Sequence, residues 1–220
     1  MVSPELTSHS IVVVGQFNPI VYQPLWFAGE EILRQSEATA ASVEFINNDF
    51  VKFNTDWLSI FVSRERFTAS TAHESSFEVL RDLVRATFET HISTPIQFAG
   101  LNTEYHFRLR KGTTWNSIAE KYAPSKNFPE GLSDRVLTNI SFEVLRDSFE
   151  ITGKISVRLE PSVRIENGLY VFINDHFEFA KTPSGSYNGE HLVSLLENGW
   201  EKSQKKAASI CKSLMDAIYE

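Results

Sequence analysis

Gly100-Leu101-Asn102-Thr103-Glu104-Tyr105-His106-Phe107-Arg108 decides the fold class of this chain. Apolar or weakly polar residues (Leu101, Thr103, Tyr105, Phe107) alternate with hydrogen-bonding and charged ones (Asn102, Glu104, His106, Arg108). A period of two is the signature of a β-strand with one dry and one wet face. Phe172-Ile-Asn-Asp-His-Phe-Glu178 repeats the pattern, with Asn174, His176 and Glu178 on one face and Phe172 leading it. Strands are therefore predicted over about 96–110 and 168–180, in an antiparallel sheet with one face open to water.

Working outward, Ile11–Gln16 reads as a strand, Asn18-Pro19 as a turn and Leu25–Arg34 as a helix opened by Pro24. Residues 43–53 read as strand with a turn or bulge at Asn47-Asn48-Asp49. Residues 58–67 read as a hairpin with Arg64-Glu65-Arg66 at its tip. Thr71-Ala-His-Glu74 has the spacing of a capping box before a helix whose one face carries Phe77, Leu80, Val84 and Phe88. Pro95 opens a second cycle: the strand at 96–110, a helix over 114–122, a loop over Pro124–Ser133, and strands over 136–146, 149–160 and 168–180. Glu166-Asn-Gly168 supplies the last turn signal, and a final helix covers 190–219. The implied architecture is one α+β domain spanning 1–220, its mostly antiparallel sheet covered by helices, with strand-helix-strands-helix pseudo-repeats at 11–91 and 95–219. Ser-Phe-Glu-Val-Leu-Arg-Asp occurs at both 76–82 and 141–147. Its flanks predict a helix for the first copy and a strand for the second, so it is no mark of duplication.

Composition narrows the function classes. The 17 Phe against 2 Met suit a stiff sheet core, and 21 basic against 28 acidic residues give a net charge of −7, which disfavours nucleic acid. The single cysteine, Cys211, can form neither an internal disulfide nor a thiolate metal cage, and it points to a reducing cytosol. No run approaches the ~18 apolar residues that span a bilayer, and the N-terminal residues lack a basic signal region. Walker, GxGxxG, HExxH and GxSxG motifs, paired-cysteine zinc spacings and calcium loops are all absent from the sequence. No cofactor or metal is implied.

The candidate binding residues are the two polar rows: Asn102, Glu104, His106 and Arg108 on one strand, Asn174, His176 and Glu178 on the other. Were these strands neighbours with their rows on one side, they would form a polar floor for a ligand or partner. An enzyme reading requires His106, His176 and Glu104 to converge on a common point, about 3–6 Å from each. Asp175 points the opposite way. A second candidate is the last helix, where Leu196, Trp200, Ala207, Ile210 and Leu214 share a stripe at three-four spacing. That stripe fits either the chain's own sheet or a second protomer. Asn18–Phe27 reads as an aromatic rim for a peptide or as a turn placing Trp26 in the core. His9, His73, His91 and His191 fall near element ends, where capping or exposure is expected.

The stretches Phe17-Asn-Pro, Pro24-Leu-Trp, Thr94-Pro-Ile, Gly100-Leu-Asn, His106-Phe and Asn174-Asp-His resemble those of uncharacterised bacterial proteins of this size, over most of the chain. That resemblance implies no activity. The repeated element order is similar, in topology alone, to the saddle of the TATA-binding protein. Rows of phosphate-facing cations and wedge phenylalanines have no positional match here. The expected function is that of a non-catalytic binding or assembly protein of a bacterial cytosol. It would engage a protein partner, or a second copy as a homodimer, through the polar sheet face or the last helix. The alternative is a small-molecule-binding or hydrolytic enzyme with a His/Glu site on the sheet.

Overall fold

The computed structural model describes residues 3–132, 135–145 and 152–220. In chain order the elements are β1 (Leu6–Gly15), α1 (Pro24–Gly29), α2 (Gln35–Ala40), β2 (Ser42–Ile46), β3 (Phe50–Asn54), β4 (Ser59–Ser63), β5 (Arg66–Thr71) and α3 (Phe77–Thr90). The second half holds β6 (Ile96–Arg108), α4 (Trp115–Tyr122), β7 (Ile140–Leu145), β8 (Thr152–Pro161), β9 (Gly168–Glu178), α5 (Glu190–Asn198) and α6 (Trp200–Tyr219). Among the described residues the strands form one nine-stranded sheet in the order β2-β3-β4-β5-β1-β6-β9-β8-β7. Every neighbouring pair is antiparallel. The order mirrors itself about the β1–β6 seam, the last strand of each half lying beside its first. The halves differ in content: two short helices and four strands follow β1, but one helix and three strands follow β6.

The alternation predicted for 100–108 and 172–178 is present in β6 and β9, and it sorts the sheet into two faces. Ile11, Val13, Val51, Phe53, Ile60, Val62, Phe67 and Ala69 point to one side and are buried beneath the helices. Phe27 of α1 packs 5.8 Å from Phe53, ring centre to ring centre, while α3 covers β1 and β5 and α6 covers β6 and β9. The core is two apolar clusters, one under the first half, α5 and Trp200, the other under β6–β9, α4 and the rest of α6. Buried polar residues mark their boundary. Thr103 lies between Leu101 and Phe107 on β6, Asp175 between Ile173 and Phe177 on β9, and Ser203 between Trp200 and Ala207 on α6. Thr103 donates to Gln204 at 3.3 Å and stitches sheet to helix there.

Several local expectations need correction. The helix expected over 25–34 stops at Gly29, because Glu31 turns to φ +58° and sends buried Leu33 back into the core. Thr71 and Glu74 form no capping box. Thr71 ends β5 and accepts from the His73 N–H at 3.1 Å, and α3 starts only at Phe77. The last helix is two, broken at Gly199, where a Cβ would fall 2.7 Å from Leu195 Cδ1 and 2.8 Å from the Leu195 carbonyl. The strand expected over 136–146 begins only at Ile140, and residues 146 and 149–151 lie outside the described residues. The repeated heptapeptide behaves as expected: helical from Phe77 in its first copy, strand over 141–145 in its second. Tertiary context overrides local preference.

Candidate binding face

Among the described residues no helix covers the other side of the sheet, and the two polar rows meet there. β6 and β9 are adjacent, with Asn102 opposite Asn174, Gly100 opposite His176, Phe98 opposite Glu178 and His106 opposite Tyr170. Asn102, Glu104, His106, Arg108, Asn174, His176 and Glu178 therefore share one floor. Asn102 and His106 are buried within it, at 7% and 3% exposure, because neighbouring side chains close over them. His106 Nδ1 lies 2.8 Å from the Ser162 hydroxyl and its ring 4.8 Å from Tyr170. Glu104 accepts from Ser8 at 3.1 Å, and Arg108 grips Glu5 with two bonds of 2.7 and 3.2 Å. His176 stacks on Phe98 with ring centres 5.6 Å apart and lies 3.9 Å from Glu178.

The enzyme geometry is not met. His176 faces Gly100, six residues along β6 from His106, a separation of about 20 Å at ~3.4 Å per residue. Glu104 faces Phe172, one same-face position from His106 but two from Gly100, so it neighbours His106 and not His176. Burial lowers the pKa of His106, with the Arg164 charge pressing the same way and Glu104 opposing. Burial also lowers that of His176, against the pull of Glu178. Both imidazoles are thus held towards the neutral form, in separate places. Among the described residues no three His, Cys, Asp or Glu side chains gather as metal ligands would.

Across the whole sheet the open face follows one register. Ser42, Asn54, Ser59 and Ser70 stand directly opposite one another along β2, β3, β4 and β5. The row continues through Ser10, Asn102, Asn174, Ser156 and Glu143 on β1, β6, β9, β8 and β7. One uninterrupted line of hydroxyl and amide side chains thus crosses all nine strands, with a single carboxylate at its outer end. Rows beside it carry larger groups: Phe45, Lys52 and Phe61 on one wing, His176 and Lys154 near the centre, Phe172 and Arg158 on the other flank. The face is electrically balanced, with Lys52, Arg66, Arg108, Lys154 and Arg158 set against Glu44, Glu104, Glu143, Glu160 and Glu178. Most of these pair locally, as in Lys52–Glu44 at 2.8 Å, Lys154–Glu143 at 2.7 Å and Arg158–Glu160 at 3.3 Å. Apolar groups stay exposed on it, Phe45 at 37% and Phe50 at 45%.

The helix stripe is placed differently from the dimer reading. Leu196, Trp200 and Ala207 are 0%, 4% and 4% exposed within the chain's own core, and Ile210 and Leu214 pack against the second cluster. Helix α6 lays this stripe across its own sheet, with Ile210 and Leu214 half-buried at its margin. Asn18–Phe27 likewise serves the core: Tyr22 and Phe27 are buried, and Trp26 stacks on His91 at 4.8 Å. His73 and His191 are exposed, but His9 corrects the expectation for histidines at element ends. It sits inside β1, 6% exposed, its ring 3.8 Å from that of Phe77 and 6.0 Å from that of Trp200. Burial lowers its pKa to about 4.

Sequence reasoning also missed a cavity of about 450 Å³ under α6, lined by Tyr105, Phe107, Cys211, Met215 and Arg110. Burial pushes the Cys211 thiol up to about 12, so it carries no nucleophile at neutral pH. Among the described residues no helix is long and apolar enough to cross a membrane. No family model matches this chain, and no curated protein matches it either.

Proposed function

We propose that the chain is a non-catalytic binding protein of a bacterial cytosol that engages a protein partner through the open face of its sheet. The supporting observation is a nine-stranded face free of helices among the described residues, with its strand charges balanced and its aromatics exposed. At ~4.8 Å between strands and ~17 Å of strand length its plan area is about 650 Å², close to the ~800 Å² per partner of an ordinary protein interface. A phosphate backbone would need an excess of cations, and on the strands of this face five cations answer five carboxylates, with Arg164 and Glu5 beside them adding one of each. The distance of His176 from the neighbouring His106 and Glu104 speaks for binding over catalysis. The free, buried Cys211 suits a reducing compartment.

Affinity purification of the full chain from its native cytosol tests this. Partner proteins held by the wild type and by Lys206→Glu on the exposed side of α6 are expected to be lost from Phe61→Asp/Phe172→Asp. Equal recovery with the double variant, once circular dichroism shows it folded, would refute the assignment.

A further inference from the structure

The row of small polar side chains is the feature of the open face that general solvation explains least. Asn is among the poorest strand formers, yet three Asn occupy strand positions in one row, beside serines where threonine would suit a sheet better. At its centre the amide oxygens of Asn102 and Asn174 are both shielded from water and receive no hydrogen bond. A Cβ on Gly100 would lie 3.0 Å from the Asn174 oxygen and 3.4 Å from the Asn102 oxygen, so both oxygens rest over the bare glycine. An unmet buried acceptor costs about 1–3 kcal/mol, which a donor brought by an occupant would recover once the half-buried Asn174 amide turns outward. Over Ser59, Ser70 and Ser10 the row is the floor of a cavity of about 350 Å³ that is rimmed by Trp57, Asp56, Glu104 and Arg164.

We propose that this row seats an extended, uncharged stretch of a partner polypeptide, laid across the strands and held through its backbone amides. This rests on the open face being the protein-binding surface. The chemistry of the row selects that occupant. A serine hydroxyl and an asparagine amide each both donate and accept, so they meet a backbone N–H or C=O wherever either falls. Ionic ligands would need cations or carboxylates in the row. Its one charged member, Glu143, is already bonded to Lys154 at 2.7 Å and to Ser156 at 3.3 Å. Nine strands at ~4.8 Å make the row about 38 Å long, room for an extended peptide of about eleven residues. The bulkier Phe61, His176 and Phe172 beside it form the walls that keep such a chain in the row.

The probe is an array of synthetic 12-residue peptides of zero net charge with blocked ends, screened with the labelled full chain beside an array of neutral oligosaccharides. The wild type is expected to capture a subset of the peptides. Methylating alternate backbone nitrogens of a captured peptide should weaken binding at least tenfold, while alanine at most of its side chains changes binding less than threefold. The Asn102→Thr/Asn174→Thr variant, folded by circular dichroism, should also bind at least tenfold more weakly. No captured peptide, indifference to N-methylation, or unaltered binding by the variant would each overturn the proposal. Should that happen while a folded partner still depends on Phe172, the open-face assignment survives and the backbone-held strand does not. Capture of oligosaccharides in place of peptides would overturn both.

Discussion

Asn102 on β6 and Asn174 on β9 stand directly opposite each other on the uncovered side of the sheet, and neither amide oxygen receives a hydrogen bond. Groups kept for binding are poor for folding at such a place. Replacing Asn174 with Thr, a better strand former without the unmet oxygen, is expected to raise stability by about 0.5–1 kcal/mol. Urea unfolding measures it. A loss of more than about 1 kcal/mol would make the asparagine a structural residue and remove the strongest support for the row as a seat.

His9 gives a pH dependence of known sign. Its pKa falls from 6.5 to about 4 on burial, so the unfolded chain binds more protons than the folded one between those values. Stability therefore rises with pH across that window, and acidification from 6.5 to 4 removes on the order of 3 kcal/mol through this residue. Unfolding free energies at several pH values, compared with those of His9→Leu, isolate it. The variant should have a flatter profile, and parallel profiles would place His9 in contact with solvent.

Leu196 and Trp200 are core residues, so damage to the C-terminal helices is expected to unfold the chain and leave its oligomeric state unaltered beforehand. Leu196→Ala should cost about 2–5 kcal/mol. A chain ending at Asn188 would bare the apolar face of β6 and β9 and lose its cooperative thermal transition in circular dichroism. A truncated chain that stays folded at half the mass would restore the dimer reading.

Asn167 occupies the left-handed region at φ +48° in the β8–β9 turn, where its side chain also donates to the Thr113 carbonyl at 3.4 Å. Asn167→Ala is expected to destabilise by about 1 kcal/mol, and Asn167→Gly by less. Thermal melts of the pair decide it. An alanine variant as stable as the glycine one would show that the turn does not need that conformation.

What the sequence disclosed follows the range of the interactions. The strands β6 and β9 and their wet rows were legible because a half-buried strand writes its period of two into adjacent residues. The row across nine strands was not. Ser10, Ser59 and Ser70 are ordinary serines until long-range register lines them up, and register is fixed by pairing between distant segments. His9 was misplaced because Thr7, Ser8, His9 and Ser10 carry no apolar signal, although β1 starts at Leu6. The break at Gly199 interrupts a stripe that is otherwise continuous from Val193 to Ala217, and a single glycine is a weak stop signal inside such a run. The position of α6 rests on which of two apolar surfaces its stripe meets, and both fit the same spacing.

Photo-crosslinking in living cells tests the open face most directly. A benzophenone side chain placed at Phe172 should give a discrete crosslinked protein adduct, and one placed at Lys206 on the far side should give none. Adducts at 206 and none at 172 would contradict the account.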